Sequence, residues 1–172
     1  MNKRKALLLL GVGCFLLLAA EAGAFTLTSP AFSDGQRMPA NSGYRHGNVS
    51  PALAWSGFPQ KTASFALVMD DPDARGWTHW LVFNIPASVT DLEGGFPNAE
   101  ELPDGTRQGR NDFGKIGYGG PSPPSGTHRY VFRLFALDAK IDLDPGCSKS
   151  TLLKAIQGHV LSEASLTGLY GK

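Results

Sequence analysis

Three apolar runs constrain this chain more than any other feature: Ser64 to Met69 (Ser-Phe-Ala-Leu-Val-Met), Trp80 to Ile85 (Trp-Leu-Val-Phe-Asn-Ile) and Arg129 to Leu137. Each has the length and the Val, Ile, Leu and Phe content of a buried strand. Apolar residues fall on both sides of every run, so these are central strands covered on both faces. The first two runs are separated only by Asp71 to Trp77 and its neighbours, too short for a parallel crossover, which makes them antiparallel neighbours. Alternation places Phe65, Leu67, Met69 and Asp71 on one face of the first strand. It places His79 with Leu81, Phe83 and Ile85 on the second. On the third, His128, Tyr130, Phe132, Leu134 and Ala136 take one side, and Arg129, Val131, Arg133, Phe135 and Leu137 the other.

Antiparallel pairing brings the end of the first strand beside the start of the second, so Asp71 and His79 share one edge of the sheet. Asp71 continues an inward-facing apolar row, where a carboxylate is costly without a partner, and His79 is its nearest candidate in sequence. Asp71-Pro72 also starts a turn, because proline pushes the preceding residue to an extended shape, and Asp73 can bond nearby backbone NH groups. A second loop–strand junction, Pro123-Pro124-Ser125-Gly126-Thr127, delivers His128 and Tyr130. Histidines, a phenol and loop NH groups are mostly donors and suit a phosphate or carboxylate. A neighbouring Asp fixes an imidazole tautomer and favours its charged form. The Asp can also accept from an ammonium or hydroxyl on the same ligand.

Other chemistries fit less well. Asp plus two His resembles a facial metal site, yet the spacing matches no His-Glu-x-x-His pattern, and no metal and no cofactor is expected. There is no Gly-x-Ser-x-Gly elbow, and Ser122 and Ser125 sit in a Pro-rich loop without an assigned base, so no catalytic residue is assigned. P-loop and dinucleotide fingerprints are absent. His, Asp and Tyr still allow acid–base work on phosphoesters.

The rest of the chain sets the context. Lys3, Arg4 and Lys5 precede an apolar run from Ala6 to Ala20, and Ala22-Gly23-Ala24 offers a cleavage site before Phe25. Residues 1–24 are therefore read as a cleaved signal peptide, since the run is short of the roughly 20 residues of a membrane span. Residues 25–172 are read as a single domain with no integral membrane segment, periplasmic or secreted. With those ends removed, acidic and basic residues nearly balance, which gives no global field for DNA, RNA or an anionic membrane. Cys147 then stands alone, so no internal disulfide forms, and it reads as a buried, inert thiol. Gly94 to Gly126 is a long irregular stretch with nine Gly and five Pro, and loops of this length in a compact domain are usually functional or disordered. One C-terminal helix is expected, capped by Ser148 or Ser150, striped by Leu152, Leu153 and Ile156 and ended near Gly158. A further short helical turn is expected over Glu163 to Leu169.

Asp71-Pro72-Asp73-Ala74, His79-Trp80-Leu81-Val82-Phe83-Asn84-Ile85-Pro86 and Gly120-Pro121-Ser122-Pro123-Pro124-Ser125-Gly126-Thr127-His128-Arg129-Tyr130 resemble the signatures of the phosphatidylethanolamine-binding protein family, also called the Raf kinase inhibitor protein family. Gln108-Gly109-Arg110-Asn111-Asp112-Phe113-Gly114 resembles its bacterial branch. The resemblance spans nearly all of residues 25–172. It implies a mainly β fold: a large antiparallel sheet packed on a smaller second sheet, with one or two short C-terminal helices. It also implies a small pocket for a phosphate-type anion, such as a phospholipid head group or a phosphoethanolamine-like ligand. Carried over, the ligand-binding residues are Asp71, His79, Pro124, His128 and Tyr130, with Asp73, Arg75, Gly120, Pro121, Ser122 and Pro123 as the pocket wall. Animal members inhibit kinases and plant members act as scaffolds, which makes a protein partner, gripped through the same pocket, the alternative to a small ligand. Two positions depart from the pattern: Arg75 stands where the family usually has Pro, and Ser122 where bacterial relatives often carry Cys.

Overall fold

The structure, a computed structural model, describes residues 23–172. The signal-peptide reading falls on residues 1–24 and so lies almost wholly outside the described residues. The strands are β1 (Thr26–Thr28), β2 (Gln36–Arg37), β3 (Leu53–Ser56), β4 (Ser64–Asp71), β5 (Trp77–Pro86), β6 (Asp91–Leu92), β7 (Arg107–Gln108), β8 (Thr127–Leu137) and β9 (Val160–Gly171). The one α-helix among the described residues, α1 (Lys149–Ile156), precedes β9. A six-stranded sheet runs in the order β2-β9-β8-β4-β5-β7, and a three-stranded sheet in the order β1-β3-β6. All pairings are antiparallel except β2 with β9. This is the mainly β, two-sheet architecture expected from the sequence.

The three apolar runs are β4, β5 and most of β8, adjacent at the centre of the large sheet. One face of that sheet packs on the small sheet, joining Phe65, Leu67, Met69, Trp80, Val82, Tyr130, Phe132 and Leu134 to Leu27, Leu53, Trp55 and Leu92. The opposite face carries Ala66, Val68, Leu81, Phe83, Phe135 and Leu137, covered by Leu152 and Ile156 of α1 and by Ile141. Each such side chain taken from water stabilises the fold by about 1.5–3 kcal/mol. Cover is incomplete over β8: Arg129 is exposed and Val131 and Arg133 are half-buried, and the cluster that holds Leu152 and Ile156 takes in only Phe135 and Leu137 of that strand and no earlier residue. Arg133 there shares Asp70 with Lys149, at 2.9 and 3.1 Å.

Two expectations are corrected. Glu163 to Leu169 is not helical but part of β9, paired residue for residue with β8. Its alternation matches that pairing: Ala164 and Leu166 are buried, whereas Glu163 and Ser165 are exposed. Gly168 lets β9 approach closely, since a Cβ there would lie 2.4 Å from Met38. A half-exposed β8 offers far more hydrogen bonds than one isolated helical turn could supply.

The second correction concerns the faces of β5. Between the pairs Met69–Trp80 and Asp70–Thr78, β5 spends one more residue than β4, and that residue is His79. A second irregularity lies between Val82 and Ile85, where Asn84 takes φ 57° and exchanges bonds with the backbone of Ile141. Each bulge reverses the alternation. His79 and Ile85 therefore leave the face of Leu81 and Phe83 and join that of Trp80 and Val82. No helix among the described residues is long and apolar enough to cross a membrane. The helix itself follows its reading: the Ser148 side chain caps it by accepting from Thr151 N, and Leu152 and Ile156 are buried. Cys147 is half-buried, and burial pushes its thiol pKa up.

Candidate functional site

The bulge at His79 decides what meets at the edge of the large sheet. Asp71 ends β4, His79 lies near the start of β5, and His128 and Tyr130 lie near the start of β8. All four side chains line one cavity of about 230 Å³, closed on the far side by Ser122, Pro123 and Pro124. Asp71 is 2 % exposed. One carboxylate oxygen accepts from Ala74 N at 3.0 Å, which caps the tight turn at Pro72–Ala74. The other accepts from His128 Nδ1 at 2.7 Å. The expected Asp71–His79 pair is thus replaced by Asp71–His128, because cross-strand proximity to β8 beats proximity in sequence.

His79 instead donates from Nδ1 to the Gly119 carbonyl at 2.5 Å. A carbonyl only accepts, so Nδ1 carries the proton and Nε2 is the remaining nitrogen. Burial lowers the His79 pKa below the ordinary histidine value, opposed in part by the Gly119 carbonyl, the Asp71 carboxylate and the Gly120 carbonyl. The resting imidazole is therefore biased to its neutral form. Tyr130 is fully buried; its hydroxyl makes no hydrogen bond of ordinary geometry among the described residues, although the Asp71 carboxylate and the Ser122 backbone are close enough to act on it. Burial first, and the Asp71 carboxylate second, raise its pKa well above the ordinary phenol value, so the hydroxyl is a fixed donor. A buried donor without a well-formed hydrogen bond costs about 1–3 kcal/mol. Its position in the cavity wall means that a ligand acceptor would relieve that cost.

The cavity has an aromatic side that the sequence reading did not include. Trp77 and Phe113 line it with Ala74. Phe113 stands edge-on to Trp77 and to His79, with 5.6 Å between centroids in each case, and stacks on Tyr44 at 4.3 Å. Trp77 shares the parity of His79 and could have been read from it. Phe113 comes from the long Gly-rich stretch, whose path is set by polar side chains. Asp112 bonds Thr78 N at 2.7 Å, Asn111 bonds Phe113 N, Lys115 N and Gly117 O, and Asn48 bonds Gly120 N and Tyr118 O. These anchors sit far from His79 in sequence, and their only local signal is that Asn and Asp favour turns.

Four of the expected wall residues lie elsewhere. Asp73 faces outward and accepts from Arg129 N, Nε and Nη2 at 2.9, 3.1 and 2.7 Å. That clamp, above all the Arg129 side-chain bonds, lowers the Asp73 pKa to about 2. Arg75 ends the turn at φ 59°, a value a proline ring forbids, so this loop follows a path closed to the family's usual residue. Gly120 is pressed on the 42–44 segment, where a Cβ would sit 2.0 Å from Ser42 O. Pro121 accepts from Tyr44 N and lines a neighbouring cavity instead. Ser122, Pro123 and Pro124 line both.

Comparison with known proteins identifies the family and the fold. A family profile described as phosphatidylethanolamine-binding protein matches residues 28–171. A UPF0098 protein of Methanothermobacter thermautotrophicus is 53% identical over 146 residues, covering 84% of this chain and 97% of the relative. The crystal structure of Escherichia coli YbcL, described as a member of the mammalian PEBP family, superposes with TM-score 0.79 at 37% identity, over 86% of this chain and 98% of that one. A Chlamydia trachomatis PEBP homologue gives TM-score 0.79 at 36% identity, over 87% and 98% of the two chains. The chain belongs to the phosphatidylethanolamine-binding protein family.

Proposed function

We propose that this protein is an exported, non-catalytic binding protein whose small cavity takes a phosphate-type anion, with an amine on the same ligand where one is present. The observation that carries this reading is the Tyr130 hydroxyl, buried, without a well-formed hydrogen bond among the described residues and set in the cavity wall beside Asp71 and Ser122. His79 and His128 each use Nδ1 on a protein acceptor, which holds both rings in place and leaves both Nε2 atoms for a ligand. Among the described residues, no Ser, Thr or Cys side chain is hydrogen-bonded to either imidazole, as an activated nucleophile would be. Asp71, spent on one side by His128, keeps the site from being purely cationic and suits an ammonium near the phosphate.

Phosphorus NMR tests this directly. Phosphoethanolamine and inorganic phosphate titrated into the wild type should broaden or shift, and His79→Ala and His128→Ala should abolish the effect while retaining the folded spectrum. An unchanged phosphorus signal with wild type at millimolar ligand contradicts the reading. Export is tested by osmotic-shock fractionation, which should release the protein with its N-terminus at Phe25.

One observation favours a protein partner as the second reading. Trp77 in the cavity wall and Tyr44, stacked on the wall residue Phe113, are 40% and 36% exposed. Exposed aromatic side chains beside a pocket are the usual anchors of a protein interface. In that reading the cavity takes an acidic group of the partner, and free phosphate should release a captured partner.

A further inference from the structure

A cavity larger than the one at His79 lies on the other side of the 121–126 segment and encloses about 690 Å³. That is within the range of sites that hold organic ligands, about 300–1,000 Å³. Its floor is apolar: Met38, Leu169, the Tyr170 ring and the prolines of the shared wall. Its rim carries Arg37, Arg45 and His46, and no Asp or Glu side chain lines it. The chain as a whole holds 16 basic and 15 acidic residues, so this one-sided rim departs from the average of the molecule.

The bonding of these groups shows which of them are held and which face outward. Being without an ion pair does not itself set Arg37 and Arg45 apart, since Arg75, Arg110 and most described lysines have none either. Arg107, Arg129, Arg133 and Lys149 each pair with a carboxylate. Among the described residues neither Arg37 nor Arg45 has an ion-pair partner. Arg37 is nonetheless held in place, donating from Nη1 to Gly171 O at 2.7 Å, which leaves most of its guanidinium to face outward. Tyr170 donates its one hydroxyl proton to Ala40 O at 2.8 Å, so its 3.1 Å contact with His46 requires His46 Nδ1 to be the donor. That fixes the ring and leaves Nε2 for another partner. A positioned cationic rim over an apolar floor selects a molecule with an acidic head and an apolar body.

We infer that this cavity is a second ligand site, independent of the one at His79, for an amphiphilic organic anion: a carboxylate or phosphate ester on an aliphatic body. Arg37 and Arg45 hold the head, and Met38, Leu169 and the Tyr170 ring contact the body.

The test is a titration of the purified, nitrogen-15-labelled protein with octanoate, octyl phosphate and octanol, read by amide shifts. Octanoate, octyl phosphate or both should shift amides of residues 37–46 and 169–171, in the wild type and in His79→Ala alike. The arm that binds more tightly identifies a carboxylate or a phosphate ester as the head. Arg45→Glu, a change at an exposed side chain that makes no hydrogen bond or ion pair among the described residues, should weaken binding at least tenfold, and octanol should bind at least tenfold more weakly than either anion. The proposal is overturned if shifts are confined to 71–79 and 128–130 and vanish in His79→Ala. It is equally overturned if octanol matches the anions, if Arg45→Glu binds as the wild type does, or if no amide moves at millimolar ligand.

Discussion

The His79 ring stands edge-on to the Tyr130 ring, with centroids 5.1 Å apart and planes at 83°. This contact joins β5 to β8 across β4, and it exists because His79 is the additional residue of a bulge. With regular alternation His79 would face Leu81 and α1, and the cavity would lose its neutral imidazole. The bulge therefore belongs to the site as much as the side chains do.

Tyr130→Phe should separate stability from binding. It deletes a buried hydroxyl without a well-formed hydrogen bond among the described residues, so urea unfolding should show the ligand-free protein stabilised by about 1 kcal/mol. Phosphate affinity should fall about tenfold, the scale of one hydrogen bond to a charged acceptor. A less stable variant would mean that the hydroxyl is already satisfied.

Stability should fall on mild acidification through His79. Its folded pKa is below the ordinary 6.5, first because of burial, so below pH 6.5 the unfolded chain binds more protons than the folded one. Stability is then lost as pH falls from there to the lowered folded value, and the dependence ends below both. His79→Gln should flatten that part of the curve in pH-dependent urea melts. Saturating phosphate should also flatten it, because an anion at Nε2 favours the protonated ring.

Asp71→Ala should cost about 2–3 kcal/mol, since Ala74 N and His128 Nδ1 both lose their acceptor in a buried setting. Asp71→Asn keeps one acceptor oxygen and should cost about 1 kcal/mol. Equal melting temperatures for the two variants would contradict this assignment of bonds.

Asp73→Ala should leave global stability nearly unchanged and loosen the turn. The Arg129 clamp is exposed and mainly fixes the 72–76 segment to β8, so amide exchange there should quicken with little change elsewhere. The sign with pH follows from the lowered pKa of about 2. The clamp is complete above the ordinary aspartate range and is lost as pH falls through about 2.

How much of this was legible in the residues differs by element. The central strands were plain because Ser64–Asp71 and Trp77–Pro86 are apolar on both faces, which few other structures permit. The short Asp71 to Trp77 joint forced their antiparallel pairing. Strand parity put Asp71 with His79 at one sheet edge and His128 with Tyr130 on one strand face; only the family resemblance joined the two pairs into one pocket. The bulges did not follow from parity, because a bulge is one residue of local geometry. His79 carries no Gly or Asn to mark its own, although Asn84, a residue that tolerates positive φ, was a signal at the second. Segment 163–169 misled for a related reason: a short run is ambiguous in period until a partner strand is known. Phe113 was missed as a wall residue because its placement depends on the Asn48, Asn111 and Asp112 anchors, which are long-range contacts, whereas Trp77 was within reach of the same parity as His79.

The most direct test of the central claim is the nitrogen-15 chemical shift of His79 Nε2 during a phosphate titration at neutral pH. Nε2 should be unprotonated in the free protein and move toward the protonated position as phosphate saturates the cavity, with Nδ1 unchanged on Gly119. An Nε2 signal that stays at its free position under saturating phosphate would contradict the claim that this cavity is an anion site.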